Sequence, residues 1–262
     1  MQLTDLFAAI DIIAPLAAAA SWDASGLQVA AQRRSASKLA VCLDPTPTSI
    51  GKALEAGAQC ILSHHPLTLK PELPKRLDAY HECLRLLFCA DVPLYAAHTS
   101  LDVNPCGPAG WLADELDLAN RCVLEPSGTV SEGSLPLGFG IAGDLPHPMT
   151  IDSIMTTIAR HAPLTNATLC GPEPQSVHRV AYCTGSGSSL LQEAYANRAD
   201  IFITGDVKYH TALDTCLCIL DVGHHSLEEE MMRRMSLLLQ QRLEGVDVFF
   251  VSSVSPFRYM AF

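Results

Sequence analysis

The chain has 262 residues, 48 % apolar and 17 % charged, with a net charge of −11 and an isoelectric point near 5.3. Such a chain can build one large core or two ordinary ones, and this composition excludes long disorder. The acidic balance disfavours nucleic-acid binding, which needs clustered Lys and Arg, yet admits a nucleotide held by metal or backbone amides.

The opening Met1 to Asp5 carries no basic segment, and the apolar run Ile12 to Ala20 is broken by Pro15 and too short to span a bilayer. A cytoplasmic protein with no membrane contact is expected. Leu6, Ile10 and Ile13 recur at helical spacing behind a capping Thr4-Asp5. A strand from Lys38 to Leu43 ends at Asp44-Pro45, and a helix from Thr48 to Ala56 closes at Gly57. Gln59 to Ser63 is the next strand. The run Cys60-Ile61-Leu62-Ser63 has no charge, as in a strand covered on both faces, and it stops at His64-His65-Pro66. Leu77, Tyr80, Leu84 and Leu87 mark a helix, and Val92 to Ala97 a strand that ends at His98. The pattern βαβαβ places Asp44, His64, His65 and His98, followed by Asp102, at the strand ends where open α/β sheets bind ligands.

A helix around Trp111 to Leu116 closes this block, and the Pro/Ser/Gly-rich stretch Glu125 to Ser134 reads as a boundary. The second block offers a strand from Leu137 to Ala142 and a helix with Ile151, Ile154, Met155 and Ile158 on one face. A short strand follows at Thr165 to Leu169, then a strand from Arg179 to Thr184, a helix from Ser188 to Ala196 and a strand from Asp200 to Thr204. Cys216 to Val222 is a strand leading to Gly223-His224, Leu227 to Leu243 a helix and Val246 to Val251 a strand whose sheet periodicity leaves open. Shifting by 141 positions aligns Ala40, Cys42, Ala53 and Ala58 with Ala181, Cys183, Ala194 and Ala199, and His98-x-x-x-Asp102 has the spacing and chemistry of His224-x-x-x-Glu228. These matches point to an internal duplication giving two similar α/β domains. Ten cysteines in such a chain, with Cys42, Cys60, Cys183, Cys216 and Cys218 in apolar runs, read as buried free thiols.

Neutral imidazole suits iron, nickel, copper and zinc, while carboxylates add charge and can bridge two ions. A lone histidine at a strand end is more often a hydrogen-bonded structural residue, and His224 with Glu228 could decorate a solvated helix, a view that Glu229 and Glu230 favour. Convergence of several such groups at equivalent strand ends shifts the balance toward metal. No P-loop is present, and Gly185-Ser186-Gly187 is too short to name a phosphate site.

Four ordered motifs, Ser63-His64-His65-Pro66-Leu67, Ala97-His98-Thr99-Ser100-Leu101-Asp102, Thr204-Gly205-Asp206-Val207-Lys208-Tyr209-His210 and Gly223-His224 to Glu228, together with Trp22-Asp23 and Gly26-Leu27, resemble the NIF-three-like family of dinuclear-metal proteins, also known as GTP cyclohydrolase I type 2 homologues. The resemblance implies two intertwined three-layer α/β/α domains, here residues 1–125 with 226–262 and residues 126–225, the latter bringing His224. It implies two divalent ions per chain (iron, zinc, manganese or nickel) on His64, His65, Asp102, His224 and Glu228, with Glu228 the bridge. By the same resemblance His98 and Glu228 handle protons, or His98 orients a ligand or loop. Asp206 and His210 line the substrate cleft, or Asp206 caps a helix and His210 lies on its surface; His225, read as exposed, stays outside the site. A homohexamer is implied, acting as a hydrolase on a small nucleotide-like heterocycle or else serving as a non-catalytic metal-binding scaffold. The chain departs from the family after Asp102, where a glycine pair and asparagine are replaced by Asn104-Pro105-Cys106-Gly107-Pro108-Ala109.

Overall fold

The computed structural model describes residues 1–127, 135–162, 164 and 166–260. In chain order these form α1 (Leu3–Ile13), β1 (Gly26–Val29), β2 (Lys38–Cys42), α2 (Pro47–Glu55), β3 (Cys60–Ser63), α3 (Ala79–Ala90), β4 (Leu94–Ala96), α4 (Thr99–Asp102), α5 (Trp111–Glu115) and β5 (Ala119–Pro126). There follow β6 (Gly138–Met149), α6 (Ile151–His161), β7 (Thr168–Cys170), β8 (Val177–Tyr182), α7 (Leu191–Ala196), β9 (Ile201–Thr204), α8 (Tyr209–Asp214), β10 (Cys218–Asp221), α9 (His224–Arg242) and β11 (Asp247–Phe250). The chain forms two compact units, Met1–Leu101 with Met232–Val254, and Asp102–Met231 with Ser255–Phe262. The boundaries expected near 125 and 225 fall inside β5 and α9.

The first unit carries a five-stranded sheet in the order β1-β4-β3-β2-β11. Strands β4, β3, β2 and β11 run parallel, and β1 lies antiparallel on the β4 edge. The pairing of β11 with β2 settles the last strand, which periodicity alone left open. Helices form where apolar spacing and a cap coincide. Thr46 caps α2 in a reciprocal box with Ser49, and Pro47 opens the first turn. Ile50 and Ala53 of α2 and Cys83 and Leu87 of α3 then pack in one cluster with Ala40, Cys42, Ile61 and Leu94 of the sheet. On the other face of β4, Tyr95 stacks on Phe7 of α1 at 4.8 Å between ring centres. Each large aliphatic side chain buried this way contributes roughly 1.5–3 kcal/mol.

The α1 core face is as expected, with Leu6, Ile10 and Ile13 buried. The expected cap is not. Gln2 stands at the N-cap without a side-chain bond, and Thr4 and Asp5 lie within the helix, where Asp5 meets the positive end of its dipole. Similarly, Asp78 caps α3, so Leu77 precedes the helix and is 91 % exposed.

The second unit carries a six-stranded sheet in the order β5-β6-β8-β9-β10-β7. Its β8, β9 and β10 are parallel, with β7 antiparallel on the β10 edge. Four strands of each sheet therefore share one order and one set of directions, β1-β4-β3-β2 against β7-β10-β9-β8. The registers agree as well. Leu39 pairs with Cys60 and Ala40 with Ile61; adding 141 to each number gives the observed pairs Val180 with Ile201 and Ala181 with Phe202. Beyond the paired residues, the Ala97 N–H donates to the Ser63 carbonyl just as the Val222 N–H donates to that of Thr204. The β4 and β10 pairs differ by another offset: Ile61 meets Leu94 while Phe202 meets Ile219, an offset of 125 between Leu94 and Ile219. By that register Gly223 stands where His98 does, and His224 answers Thr99.

The expected strand at Thr165 to Leu169 begins at Thr168, and position 165 lies outside the described residues. Of the stretch read as a boundary, Glu125 and Pro126 belong to β5, and 128–134 lies outside the described residues. All ten cysteines are free thiols, but of the five expected to be buried only Cys42, Cys60 and Cys218 are; Cys183 is half-buried and Cys216 is exposed ahead of β10, as are Cys89 and Cys106 elsewhere.

Candidate metal centre

In the first unit β3 ends at Ser63, and the chain then leaves the ladder. The His64 N–H points at the Cys42 and Leu43 carbonyls and the His65 N–H at that of Leu43, each at 3.1 Å. The Ser63 hydroxyl donates to the His65 carbonyl at 2.7 Å. Freed from strand alternation, the two neighbouring imidazoles face the same way, 5.0 Å apart between ring centres. The His98 ring lies 5.2 Å from His64 and 5.5 Å from His65. One ring nitrogen from each of the three lies within 4.8 Å of the others.

The far nitrogens show how the rings are set. Nδ1 of the fully buried His64 lies 2.8 Å from the Ala97 carbonyl, which can only accept, so Nδ1 carries the proton and Nε2 of the neutral ring is the lone-pair end. His65 Nδ1 donates to Asp44 Oδ1 and His98 Nδ1 to Asp23 Oδ1, each at 2.7 Å. Oxygen acceptors behind imidazoles of this kind orient metal-ligating histidines and raise their basicity. Burial would raise the Asp23 carboxyl, but hydrogen bonds from His98, Ser25 and Thr99 outweigh it and hold the group well below the usual carboxylate range.

The second unit organises its candidates around the start of α9. His224 opens the helix and Glu228 follows one turn later, with His224 Nε2 2.8 Å from Glu228 Oε2. His224 Nδ1 meets Asp206 Oδ2 at 2.7 Å. Burial disfavours the imidazolium, but Glu228 and Asp206 override it and push the His224 pKa up to about 9. The turn is fitted to these groups by two glycines. A Cβ on Gly185, whose φ is +62°, would lie 2.1 Å from Glu228 Oε1, and one on Gly205 would lie 2.3 Å from the His224 backbone nitrogen. Trp111 Nε1 donates to the Leu227 carbonyl at 3.1 Å, which anchors the first turn of α9 to α5. Asp102 Oδ1 accepts from the Thr184 hydroxyl at 3.2 Å. Burial, with the Asp102 and Glu228 carboxylates adding to it, pushes the neighbouring Cys183 thiol far up, so it does not supply a thiolate.

The structure thus brings His64, His65 and His98 together in one unit, and His224, Glu228 and Asp206 together in the other. His210 sits on the exposed α8, its ring 5.4 Å from that of Tyr209. Asp206 does not cap α8, whose N-cap is Lys208. The solvated view of α9 is corrected, because Glu228, Glu229 and Glu230 are 3 %, 6 % and 1 % exposed. His225, expected at the surface, has a side chain only 12 % exposed and lies 3.8 Å from Glu229. In the stretch Asn104 to Ala109, Asn104 fills the turn: its Oδ1 accepts from the Cys106 N–H, and its carbonyl from that of Gly107. Sequence reasoning placed Asp44 at the strand ends beside the histidines without naming its partner, and assigned no role in the site to Asp23, Thr184 or Trp111, whose partners are about 75 or more positions away.

Imidazole and carboxylate donors are what a first-row divalent ion takes, and the rings present Nε2 with Nδ1 already engaged, so the residues fit such an ion. Over residues 1–256 the chain matches the family described as Duf34/NIF3 (NGG1p interacting factor 3). A Clostridium perfringens (strain 13 / Type A) protein named GTP cyclohydrolase 1 type 2 homolog is 30 % identical over 266 residues, covering 99 % of this chain and 100 % of its own. Among solved structures, the Staphylococcus aureus hypothetical protein SA1388 is 26 % identical with a TM-score of 0.86 over 99 % of each chain. A Bacillus cereus protein related to NIF3 gives a TM-score of 0.87 over 99 % of each chain at 21 % identity, a likeness of fold alone. The family read from four short motifs is therefore the right one: this chain belongs to the Duf34/NIF3 family.

Proposed function

We propose that this chain is a metal-dependent hydrolase acting on a nucleotide-like heterocycle, with chemistry of the GTP cyclohydrolase type. His64, His65, Asp102, His224 and Glu228 are the ligands of two divalent ions in this reading. The observation that carries it is the shared setting of His64, His65 and His224: each Nδ1 is engaged by an oxygen acceptor, so Nε2 is the end that would meet an ion, which at His224 would take the place of the Nε2 proton shared with Glu228. A divalent ion bound there supplies Lewis acidity, polarising the substrate and acidifying water. The chain's own part is to hold the reactants and move protons. His98 Nε2 and the Glu228 carboxylate are the proton-handling groups, and Asp206 and His210 face the substrate. The relative named GTP cyclohydrolase 1 type 2 homolog supports the substrate class.

Two measurements test this reading. Elemental analysis of untagged, reconstituted protein should find two ions per chain; fewer than about one would count against the five-ligand set. Metal-loaded protein incubated with GTP should give a product that His64→Ala does not. Identical background products from both would remove the cyclohydrolase assignment and leave the second reading, a non-catalytic metal-binding scaffold, which the family's description as an interacting factor favours. We further propose a cytoplasmic homohexamer. Among the described residues no helix is long and apolar enough to cross a membrane.

A further inference from the structure

The three imidazoles at the first unit's strand ends are not anchored alike. His64 rests on a main-chain carbonyl, and His65 on Asp44, whose side chain is 40 % exposed. His98 rests on Asp23, whose side chain is 1 % exposed and whose two oxygens are crowded with donors. Oδ1 accepts from His98 Nδ1 and from the Ala24 N–H, both at 2.7 Å. Oδ2 accepts from the Ser25 hydroxyl at 2.6 Å, the Thr99 hydroxyl at 2.6 Å and the Thr99 N–H at 3.1 Å. The loop and the strand end are tied twice more: the His98 N–H donates to Ser25 Oγ at 3.1 Å, and the Ala20 N–H to Thr99 Oγ1 at 3.0 Å.

Five donors on one carboxylate leave it no proton to give. A carboxylate surrounded in this way only accepts, so the hydrogen in its bond to His98 belongs to Nδ1. Neutral His98 then has its lone pair on Nε2, on the side of the ring opposite Asp23. Water does not compete for the carboxylate, and both its oxygens are fixed by backbone and hydroxyl donors, so the ring cannot swing without breaking a buried charge-assisted bond.

We propose that Asp23, braced by Ser25 and Thr99, is the positioning residue of His98: it fixes the Nδ1–H tautomer and ring orientation that present Nε2 beside His64 and His65 as a proton acceptor. That Nε2 serves turnover there rests on the metal-dependent reading above; the tautomer and its dependence on Asp23 do not. When Nε2 takes a proton from a substrate or water oxygen, the ionised Asp23 faces the resulting imidazolium, and no further proton moves. Trp22, 62 % exposed with its ring edge-on to His98 at 5.9 Å, lies beside the same ring.

The test is the ring-nitrogen NMR of the full chain, with and without zinc, with each histidine assigned by substitution. In the unaltered protein His98 should show the Nδ1–H pattern. An Nε2–H pattern there would overturn the proposal without recourse to any variant. Asp23→Asn should redistribute His98 toward Nε2–H and leave His64, held by the Ala97 carbonyl, unchanged. Thr99→Ala serves as the control for stability alone, since it removes a donor and keeps the carboxylate; it should lower the melting point without moving the His98 tautomer. If both variants moved the tautomer equally, Asp23 would be a structural brace only, and the proposal would fail. Zinc content should be retained in Asp23→Asn; its loss would make His98 a ligand and overturn the role assigned here. Where GTP turnover is observed, Asp23→Asn should lower kcat about tenfold or more with KM within about twofold. An absence of turnover in the unaltered protein would fail the functional reading while the tautomer result still decides this one.

Discussion

The two sheets repeat each other in strand order and register, yet their equivalent strand ends carry opposite chemistry. Under the 141-residue shift, Asp44, His64 and His65 correspond to Gly185, Gly205 and Asp206. In the first unit those positions hold an imidazole pair and the carboxylate behind one of them. In the second the first two are glycines, because Glu228 and the His224 backbone occupy the space that side chains would need, while the third, Asp206, meets His224 with its carboxylate. A repeated scaffold has thus been specialised by subtraction: one copy places its donors on the β3 end, and the other clears its β9 end so that donors from α9 can enter. The register repeat supports an internal duplication as the origin of both.

The largest expected effect comes from erasing that subtraction. Gly205→Ala places a methyl 2.3 Å from the His224 backbone nitrogen and 2.7 Å from the Gly223 carbonyl carbon, neither of which can rotate away. Overpacking against main chain costs about 3 kcal/mol or more, which for a chain of this size lowers the melting temperature by roughly 10 °C. Differential scanning calorimetry would register it. A shift under about 2 °C would mean that the second strand end has room for a side chain and that the contrast with His64 is not steric.

The next effect sharpens the comparison through the carboxylates behind the rings. Asp44 supports His65 and Asp206 supports His224, although by register Asp206 answers His65 and Gly185 answers Asp44. Removing a carboxylate behind a ligating histidine typically weakens metal binding by about 10–100-fold. Asp44→Asn and Asp206→Asn should each fall in that range by competitive chelator titration. An unchanged affinity in one of them would show that its histidine does not ligate.

How much of this was legible beforehand follows from the range of each interaction. The strands were readable as short apolar runs, because burial on both faces leaves a compositional mark within four or five residues. The 141-residue repeat was visible in four identities, and backbone pairing extends it to whole strands. The match of His98 to His224 was legible only as spacing; the β4 and β10 registers make Gly223 the equivalent of His98, so the shared motif is displaced by one residue. Asp23 escaped because its partner His98 is 75 positions away and no local pattern marks the bond. The burial of Glu229 and Glu230 escaped for a related reason, since consecutive acids on a helix look solvated until the surrounding fold is known.

The smallest effect isolates the second unit's charge. In metal-free protein the His224 pKa is raised to about 9, from about 6.5 in an unfolded chain, because folding surrounds the ring with Glu228 and Asp206. A raised folded-state pKa contributes stability that is complete below about 6.5 and is lost as pH climbs through about 9. With the side chain 30 % exposed, solvent screening holds the contribution to the order of 1–2 kcal/mol. Chelator-treated protein should therefore melt several degrees lower at pH 9.5 than at pH 6.5, and His224→Gln should remove most of that slope. His65→Gln should leave the slope in place, since it keeps the Glu228 and Asp206 contacts that raise the His224 pKa. Equal flattening by both substitutions would place the titrating charge outside the His224 cluster and break the contrast between the two strand ends at its electrostatic root.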